Sequence, residues 1–392
     1  MTELQSTLIL FLKSALTGER YSLPQNVDPA EVFAIAVRHG VDVIAYYGAL
    51  QCGIDKNCDV MREEVMRVYQ SILISETQMA EVQRMMDAFE ANGIDHMPLK
   101  GTLLKALYPQ PEMRRMGDAD ILIQTEQYEA IRPIMQELGY EEKYESDHEF
   151  AWFKKPVHIE LHKRLIPSYN KDYYLYYGDG WRLATPVEGC AHRYGMTAED
   201  EMIYLFTHFA KHYRDAGIGL RHPMDLWMYR KHHPDMDEAY IRNELKQLQL
   251  LEFYENICHT LAVWFKDGPA DEKTEFITQF IFSSGEYGKA SVSKLSSVLK
   301  VTKTGLSAES VKRRRVFCAI FPGYTIMSKE YCFLKKLPFL LPFMWIVRGV
   351  KKVFREGKLH GFFSRRLNFT AEDVSAYQQS LNFVGLDFHF TE

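Results

Sequence analysis

The chain has 392 residues, of which 46% are hydrophobic and 25% are charged, and its formal net charge is −5. This composition is typical of a soluble globular protein of two or three domains, and it excludes long disorder, collagen and coiled-coil arrays. The six cysteines are scattered without a Cys-x-x-Cys pair, and no apolar stretch reaches 18 residues. We therefore expect free thiols in a reducing, cytoplasmic compartment and no transmembrane segment.

The first 92 residues are predicted to be helical, because apolar residues recur at helical spacing. Asp28 followed by Pro29 is a typical helix start. The stretch from Cys58 to Ala91 contains no Gly or Pro, which predicts one long helix that stops at Asn92. We expect an N-terminal helical region over residues 1–92.

Residues 93–165 have a different pattern, in which short apolar strands alternate with helices. The predicted strands cover 94–99, 118–123, 149–154 and 157–162, and the predicted helices cover 101–108 and 126–138. The last two strands are expected to be antiparallel neighbours. This block is the part of the sequence that predicts a compact α/β core.

The rest of the chain is predicted to be helical again, as a helical domain over 166–300 and a basic, aromatic C-terminal region over 301–392. The predicted helices of the first part cover 197–213, 224–233, 238–266 and 272–282. Between Val301 and Arg366 there are 15 Lys or Arg and 3 Asp or Glu, a net charge of +12 in a chain whose remainder is −17. The segment 301–366 could therefore contact an anionic surface weakly, or its basic face could dock on the acidic remainder of the chain.

Three carboxylates are predicted to lie on one face of the core sheet. Side chains alternate along a strand, so Asp118 and Asp120 point the same way while their neighbours point into the core. The same alternation puts Glu160 on a common face with His158 and His162. Adjacent carboxylates repel unless a cation lies between them, and Mg²⁺ or Mn²⁺ prefers such oxygen ligands. The alternatives are a solvated strand end for the Asp pair, and pairing with Lys163 or Arg164 for Glu160. His158, Glu160 and His162 could also form a face that binds a transition metal.

A second pattern points to phosphate. Gly101 and Thr102 follow a predicted strand and open a helix, where a backbone without a Cβ can approach a phosphate. Lys100 either contacts that phosphate or is a solvated residue at the strand end. Arg114 and Arg115 either bind a triphosphate or pair with Glu112 and Asp118, and Arg115 is the arginine chosen for the triphosphate.

These motifs together resemble the uncharacterised nucleotidyltransferase family of the polymerase-β-like superfamily. The resemblance rests on the Lys100-Gly101-Thr102 turn, Tyr108-Pro109, the stretch from Arg114 to Ile123, Ile159 to His162, the positions His208, His212, Arg221 and Asp225, and aromatic residues between 321 and 348. It thus covers about 95–350. Thr102 replaces the usual Ser, and Glu160 replaces the commoner Asp. The fold it implies is α+β, with a small mixed-sheet nucleotidyltransferase core embedded in a mainly α-helical chain.

The function that the resemblance implies is the transfer of a nucleoside monophosphate from an NTP, with ATP as the expected donor, to a hydroxyl acceptor of unknown identity. Asp118, Asp120 and Glu160 would hold Mg²⁺ or Mn²⁺, and Glu160 would act as general base or as a shared ligand of a second metal. A catalytically vestigial nucleotide-binding or scaffold protein on the same fold is the alternative. Intact carboxylates argue against that alternative.

The helical part adds four weaker candidates. His208 and His212 lie one helical turn apart and either pack at a helix contact, bind a metal, or form the wall of the acceptor cleft. Arg221 and Asp225 either form a buried ion pair or contact the acceptor. The zinc-protease motif is excluded, because Phe209 stands where that motif requires Glu.

Overall fold

A computed structural model of the chain describes residues 1–24, 27–302, 310, 313, 317–318, 320–356 and 369–388. It divides into two compact units, of which the first comprises Met1–Lys289 with Phe383–Glu392 and the second comprises Ala290–Asn382. The four-segment division expected from composition is not tested by this split and stays a prediction. The first unit contains the α/β core.

Four helices precede the sheet, as the periodicity of residues 1–92 predicts. They are α1 (Glu3–Thr17), α2 (Pro29–Arg38), α3 (Asp42–Gln51) and α4 (Asp59–Ala91). The carboxylate of Asp28 caps α2 by accepting the N–H of Ala30 at 2.9 Å. The long helix α4 has the bounds that its lack of Gly and Pro predicts.

The core is a five-stranded mixed sheet with strand order β1-β2-β5-β4-β3. Its strands are β1 (His96–Pro98), β2 (Ala119–Ile123), β3 (Glu141–Glu145), β4 (Glu149–Lys154) and β5 (Val157–His162), and its helices are α5 (Gly101–Leu104) and α6 (Tyr128–Glu137). The strands β4 and β5 are antiparallel neighbours, as predicted. Strand β3 was not predicted, because its five residues are all exposed and show no apolar alternation. The predicted helix 101–108 is shorter than expected, since a 3-10 turn follows α5 at Lys105–Leu107.

The alternation along β2 and β5 decides which side chains face the core. Ala119, Ile121 and Ile123 of β2 lie in the hydrophobic core with Val157, Ile159 and Leu161 of β5, as predicted. This apolar face packs with residues of α4 and α6, including Phe89 and Ile131. The other face of the two strands is therefore free to carry polar side chains.

Six further helices follow the sheet in the first unit. They are α7 (Lys171–Tyr177), α8 (Ala198–Asp215), α9 (Arg221–His232), α10 (Glu238–Gln247), α11 (Leu251–Lys266) and α12 (Glu272–Ser284), with a two-stranded ribbon of β6 (Thr185–Pro186) and β7 (Tyr194–Gly195). The single helix predicted over 238–266 is wrong, because Gln249 adopts a φ of 56°, which ends α10 and separates it from α11. Thr197 caps α8 as its sequence predicts, accepting the N–H of Asp200 at 3.1 Å.

The second unit contains α13 (Ala290–Thr302), α14 (Tyr324–Glu330), α15 (Leu341–Glu356) and α16 (Ala371–Phe383). Within it, the indole N–H of Trp345 donates to the carbonyl of Pro322 at 2.9 Å, and Arg348 pairs with Glu330 at 3.1 Å. Part of the basic segment 301–366, chiefly 303–309 and 357–366, lies outside the described residues. Among the helices that are described, none has the length and hydrophobicity needed to cross a lipid bilayer.

Candidate active site

The polar face of β2 and β5 opens into a cavity of about 520 Å³. The two strands run parallel, and their register places Asp120 directly opposite Glu160. Asp118 precedes β2 by one residue and lines the same cavity. The charged and imidazole side chains in the lining include Lys100, Arg114, Asp118, Asp120, His148, Glu149, Glu160, His162, His208, Lys211, His212, Arg221, His222, Asp225 and Glu286. The three carboxylates expected to act together are thus brought together.

Asp120 is the carboxylate that the protein itself neutralises. Its Oδ1 accepts a hydrogen bond from Lys100 Nζ at 2.8 Å and lies 2.7 Å from His162 Nε2. Burial alone would raise the pKa of Asp120, but the Lys100 ammonium and the hydrogen bond from His162 lower it well below its usual range. Burial alone would lower the pKa of Lys100, but the Asp120 carboxylate raises the pKa of that amine above its usual range. Both groups are therefore ionised at neutral pH, and Lys100 is a buried ion-pair partner and not a solvated residue.

Asp118 and Glu160 have no such compensation. Burial and the neighbouring Asp120 raise the pKa of Asp118. Burial, then Asp118 and Asp120, raise the pKa of Glu160 to about 8. Glu160 therefore holds a proton over much of the neutral range, because a third negative charge in this cluster is unfavourable.

The donor set suits a divalent cation. Two groups of side chains bring their ligand atoms within 4.8 Å of one another: Asp118, His158 and Glu160 form one, and Asp120, Glu160 and His162 form the other. Raised carboxylate pKa values in a cavity are what such a site shows without its cation, and a divalent cation would favour the charged forms. The residues present therefore fit a metal centre.

The Lys100-Gly101-Thr102 turn lies at the edge of the cavity. Lys100 has a φ of 43°, which is uncommon for a residue with a Cβ, and its backbone N–H is hydrogen bonded to the buried Glu201. A Cβ on Gly101 would collide with the guanidinium of Arg114, so any larger residue at this position forces that guanidinium to shift. Gly101 lines the cavity, whereas Thr102 is not part of its lining and its buried Oγ1 has no partner among the described residues.

The arginines and Asp225 make different pairs from those considered in the sequence. Arg114 binds Asp225 with two hydrogen bonds, of 3.1 Å from Nε and 2.9 Å from Nη2, and Tyr108 donates to the same carboxylate at 2.8 Å. Asp225 therefore pairs with Arg114 and not with Arg221. Arg115 pairs with the buried Asp42 at 2.6 Å and is not part of the cavity lining, so its expected contact with a triphosphate has no support in its position.

The opposite wall of the cavity carries imidazoles. His208 and His212 of α8 have their Nε2 atoms 3.0 Å apart, and His222 of α9 lies beside them with ring centroids about 6 Å away. Burial first, and then nearby cations, lower the pKa of all three imidazoles well below the usual value. Arg221 lines the same wall and pairs with Glu286 at 3.2 Å.

Comparison with known proteins agrees with this geometry. The model of a family described as an uncharacterised nucleotidyltransferase matches residues 25–266. The chain belongs to this family. No curated protein and no solved structure matches the chain.

The nucleotidyltransferase family match extends over the N-terminal helices as well as the α/β core, and it ends at the last residue of α11. The cavity residues from Lys100 to Asp225 all lie within the matched range. The imidazoles and the carboxylates Asp118, Asp120 and Glu160 therefore lie in the part of the chain that the family model matches, whereas Glu286 lies beyond it.

Sequence reasoning missed several contacts of this site. The partner of Lys100 was not foreseen, and neither was Glu149. Burial raises the pKa of Glu149, but His148, which contacts it at 2.8 Å, together with His162 and Tyr144 lowers that pKa to about 2. His222 was also missed, since it lies ten residues after His212 on a separate helix, and only the packing of α9 on α8 brings it near the His208 pair. His162 was placed by alternation on the face of β5 that carries Glu160, but its contact with Asp120 was not foreseen.

Proposed function

We propose that this protein transfers a nucleoside monophosphate from an NTP to a hydroxyl acceptor and releases pyrophosphate, with a divalent cation bound at Asp118, Asp120 and Glu160. The observation that carries the proposal is the carboxylate cluster at the edge of β2 and β5, in a cavity of about 520 Å³. Membership in a nucleotidyltransferase family supports the general reaction. Mg²⁺ or Mn²⁺ is the cation proposed for this oxygen-rich site.

In the proposed reaction the acceptor oxygen forms a bond to the α-phosphorus, and the bond from that phosphorus to the bridging oxygen of the β-phosphate breaks. Pyrophosphate leaves with the electron pair. The hydroxyl proton passes to Glu160, or to solvent water if Glu160 is occupied as a ligand. A bound divalent cation supplies neutralisation of phosphate charge and alignment of the reacting groups.

The chain's own side chains prepare the site for this chemistry. Lys100 and His162 hold Asp120 in one orientation, which fixes a negative charge where a cation is needed. Gly101 leaves room at the cavity edge, and Lys100 places a positive charge beside it. These two residues are the proposed contacts of the triphosphate, with ATP as the proposed donor. His208, His212 and Arg221 are proposed as the wall that faces the acceptor.

The test is a screen for transfer from α-labelled ATP, CTP, GTP and UTP to pools of hydroxyl-bearing acceptors, with Mg²⁺ or Mn²⁺. Transfer that disappears in Asp118→Asn supports the proposal. Asp235→Asn is the matched control, because Asp235 is an exposed turn residue outside the cavity. Nucleotide binding with no turnover on any acceptor would favour the vestigial or scaffold alternative, and no binding of any NTP would reject both.

We also propose that the protein acts in the cytoplasm, which its six free cysteines support. A reducing compartment keeps such thiols unpaired. Fractionation of cells that express a tagged chain tests this, and recovery outside the cytoplasm would contradict it.

We propose as a second property that the second unit contacts anionic lipid. Phe339 lies in the 3-10 turn Pro338–Leu340, and Phe343 and Ile346 follow it in α15. The side chains of these three residues are 69%, 65% and 66% exposed. The segment around them has a net charge of +12. Exposed apolar side chains among cations are typical of a helix that lies at a membrane surface.

Co-sedimentation of the full chain with anionic vesicles tests this second property. Binding at low salt that weakens at about 0.5 M NaCl supports an electrostatic contact. Binding that ignores salt, or equal binding to neutral vesicles, would contradict it, and Phe343→Ser should weaken the binding. If the chain does not bind vesicles at low salt, the lipid contact is rejected. The alternative is then that the basic face docks on the acidic part of the chain.

A further inference from the structure

A tyrosine in the loop after α12 lines the cavity and is the most exposed large hydrophobic residue that the structure describes. Tyr287 is 84% exposed, and it belongs to the first unit together with the rest of the cavity lining. Its side chain forms no hydrogen bond or ring contact with the described part of the chain. The phenol ring is therefore available to a ligand that enters the cavity.

The loop that carries this tyrosine is fixed by its backbone. The N–H of Glu286 donates to the carbonyl of Arg38 at 3.0 Å, and the N–H of Lys289 donates to the carbonyl of Ala216 at 2.6 Å. Gly288 has a φ of 74°, and a Cβ there would collide with the same backbone carbonyl of Ala216. The ring is thus presented by a loop that is held on both sides of it.

Tyr287 also marks the mouth of the cavity. Among the described residues that line the cavity, Gly117 and Tyr287 are exposed, whereas the others are buried or half-buried. Phe209 is a further aromatic residue of the lining, but it is buried. A ligand that reaches from the carboxylates to the mouth would therefore meet the ring of Tyr287 at its outer end.

We propose that Tyr287 stacks on the base of the bound NTP. This inference rests on the proposed function for the presence of an NTP, and it adds the side chain that holds the part of the nucleotide that does not react. In the proposed site the reacting phosphate lies at the carboxylates and the other phosphates lie at Gly101. The ribose and the base then extend away from both, toward the exposed mouth.

The chemistry at the mouth suits a base better than it suits a phosphate. Every base has a π-face, and its stacking on an aromatic side chain depends little on which base it is. Glu286, the neighbour of Tyr287 in the chain, pairs with Arg221 at 3.2 Å, so neither presents an uncompensated charge beside the ring. The matched family range, 25–266, ends before Tyr287, so membership in the family does not assign this contact.

The experiment is calorimetry of the full chain with Mg²⁺ and without an acceptor, with ATP and inorganic tripolyphosphate as the two probes. Tyr287→Ser should weaken ATP binding by about tenfold. It should leave the affinity for tripolyphosphate unchanged, because that probe has no base. Tyr287→Trp should bind ATP at least as tightly as the wild type, since it keeps an aromatic ring. Tyr69→Ser is the matched control, because Tyr69 is 61% exposed on α4 and lies outside the cavity.

The results separate the stacking contact from the proposed reaction. Unchanged ATP affinity in Tyr287→Ser, an equal loss of affinity for ATP and tripolyphosphate, or weak ATP binding in Tyr287→Trp would overturn the stacking contact, even if the chain transfers nucleotide. The expected pattern of affinities without transfer to any acceptor would support the contact and reject the proposed reaction. If the wild type binds no ATP, GTP, CTP or UTP, both are rejected.

Discussion

Replacing Glu160 by Gln should make the metal-free protein more stable at mildly alkaline pH. The pKa of Glu160 is raised from 4.5 to about 8 by burial and by Asp118 and Asp120, and its side chain is 14% exposed. A carboxyl with a higher pKa in the folded state binds more protons when folded than when unfolded. The free energy of unfolding therefore falls as pH rises between the two pKa values.

The size of this effect follows from the two pKa values. The difference between 4.5 and about 8 corresponds to roughly 5 kcal/mol lost over the whole window. Between about pH 6 and about pH 8 the loss should be roughly 2 kcal/mol, since the group is still partly protonated at the upper end. Glutamine does not ionise, so the variant should lack this part of the pH dependence.

The measurement is urea unfolding of wild type and Glu160→Gln in EDTA, across that pH range. Buried histidines such as His39, whose pKa is lowered to about 4 mainly by burial, make stability rise with pH, but they contribute equally to both proteins and cancel in the difference. Glu129→Gln is the control, because its carboxylate is 80% exposed. Stability curves that stay parallel from about pH 6 to about pH 8 would refute the reasoning. Added Mn²⁺ should reduce the difference in the free energy of unfolding between Glu160→Gln and wild type, because it stabilises the wild type.

Four other substitutions separate the roles of the site residues. Asp118→Asn should abolish metal-dependent transfer and slightly raise the melting temperature of the metal-free protein. Asp120→Asn should also abolish transfer but should lower the melting temperature, because it leaves the buried ammonium of Lys100 without its partner at a cost of about 3 kcal/mol in the free energy of unfolding. Equal shifts of the melting temperature in the two variants would contradict this. Gly101→Ala should destabilise the fold by about 1–3 kcal/mol in urea unfolding, since its methyl group meets the Arg114 guanidinium. Asp225→Asn should lower the free energy of unfolding by about 3–5 kcal/mol in the same assay, because it breaks the ion pair in which Arg114 donates two hydrogen bonds. A loss below about 1 kcal/mol would show that this pair does not stabilise the fold.

The sequence predicted the part of the fold that depends on local pattern. The uninterrupted helix Asp59–Ala91 and the antiparallel pair β4 and β5 follow from the absence of helix breakers and from alternation, and both are confirmed. Strand β3 was missed because it has no buried face to leave a pattern. The break at Gln249 was missed because no Gly or Pro marks it.

The candidate site was predictable only along individual strands. Alternation was enough to put Asp118 on the same face as Asp120, and to put Glu160 beside His162. The partner of each charge depends on which element packs opposite, and that is a property of the whole fold. The pairing of Arg114 with Asp225, 111 residues apart, and of Arg115 with Asp42, 73 residues apart, left no signal in the local sequence.

The unequal treatment of the three carboxylates argues against a structural role for the cluster. Asp120 is fully compensated by an ammonium and an imidazole, as a buried structural carboxylate would be. Asp118 and Glu160 face the same cavity without such a partner, and burial and the neighbouring carboxylates raise the pKa of both, so their charged forms are unfavourable there. A scaffold would gain stability from a neutral residue at either position. The site therefore combines one carboxylate that the protein compensates with two that it does not, and this arrangement supports the proposed binding of a divalent cation.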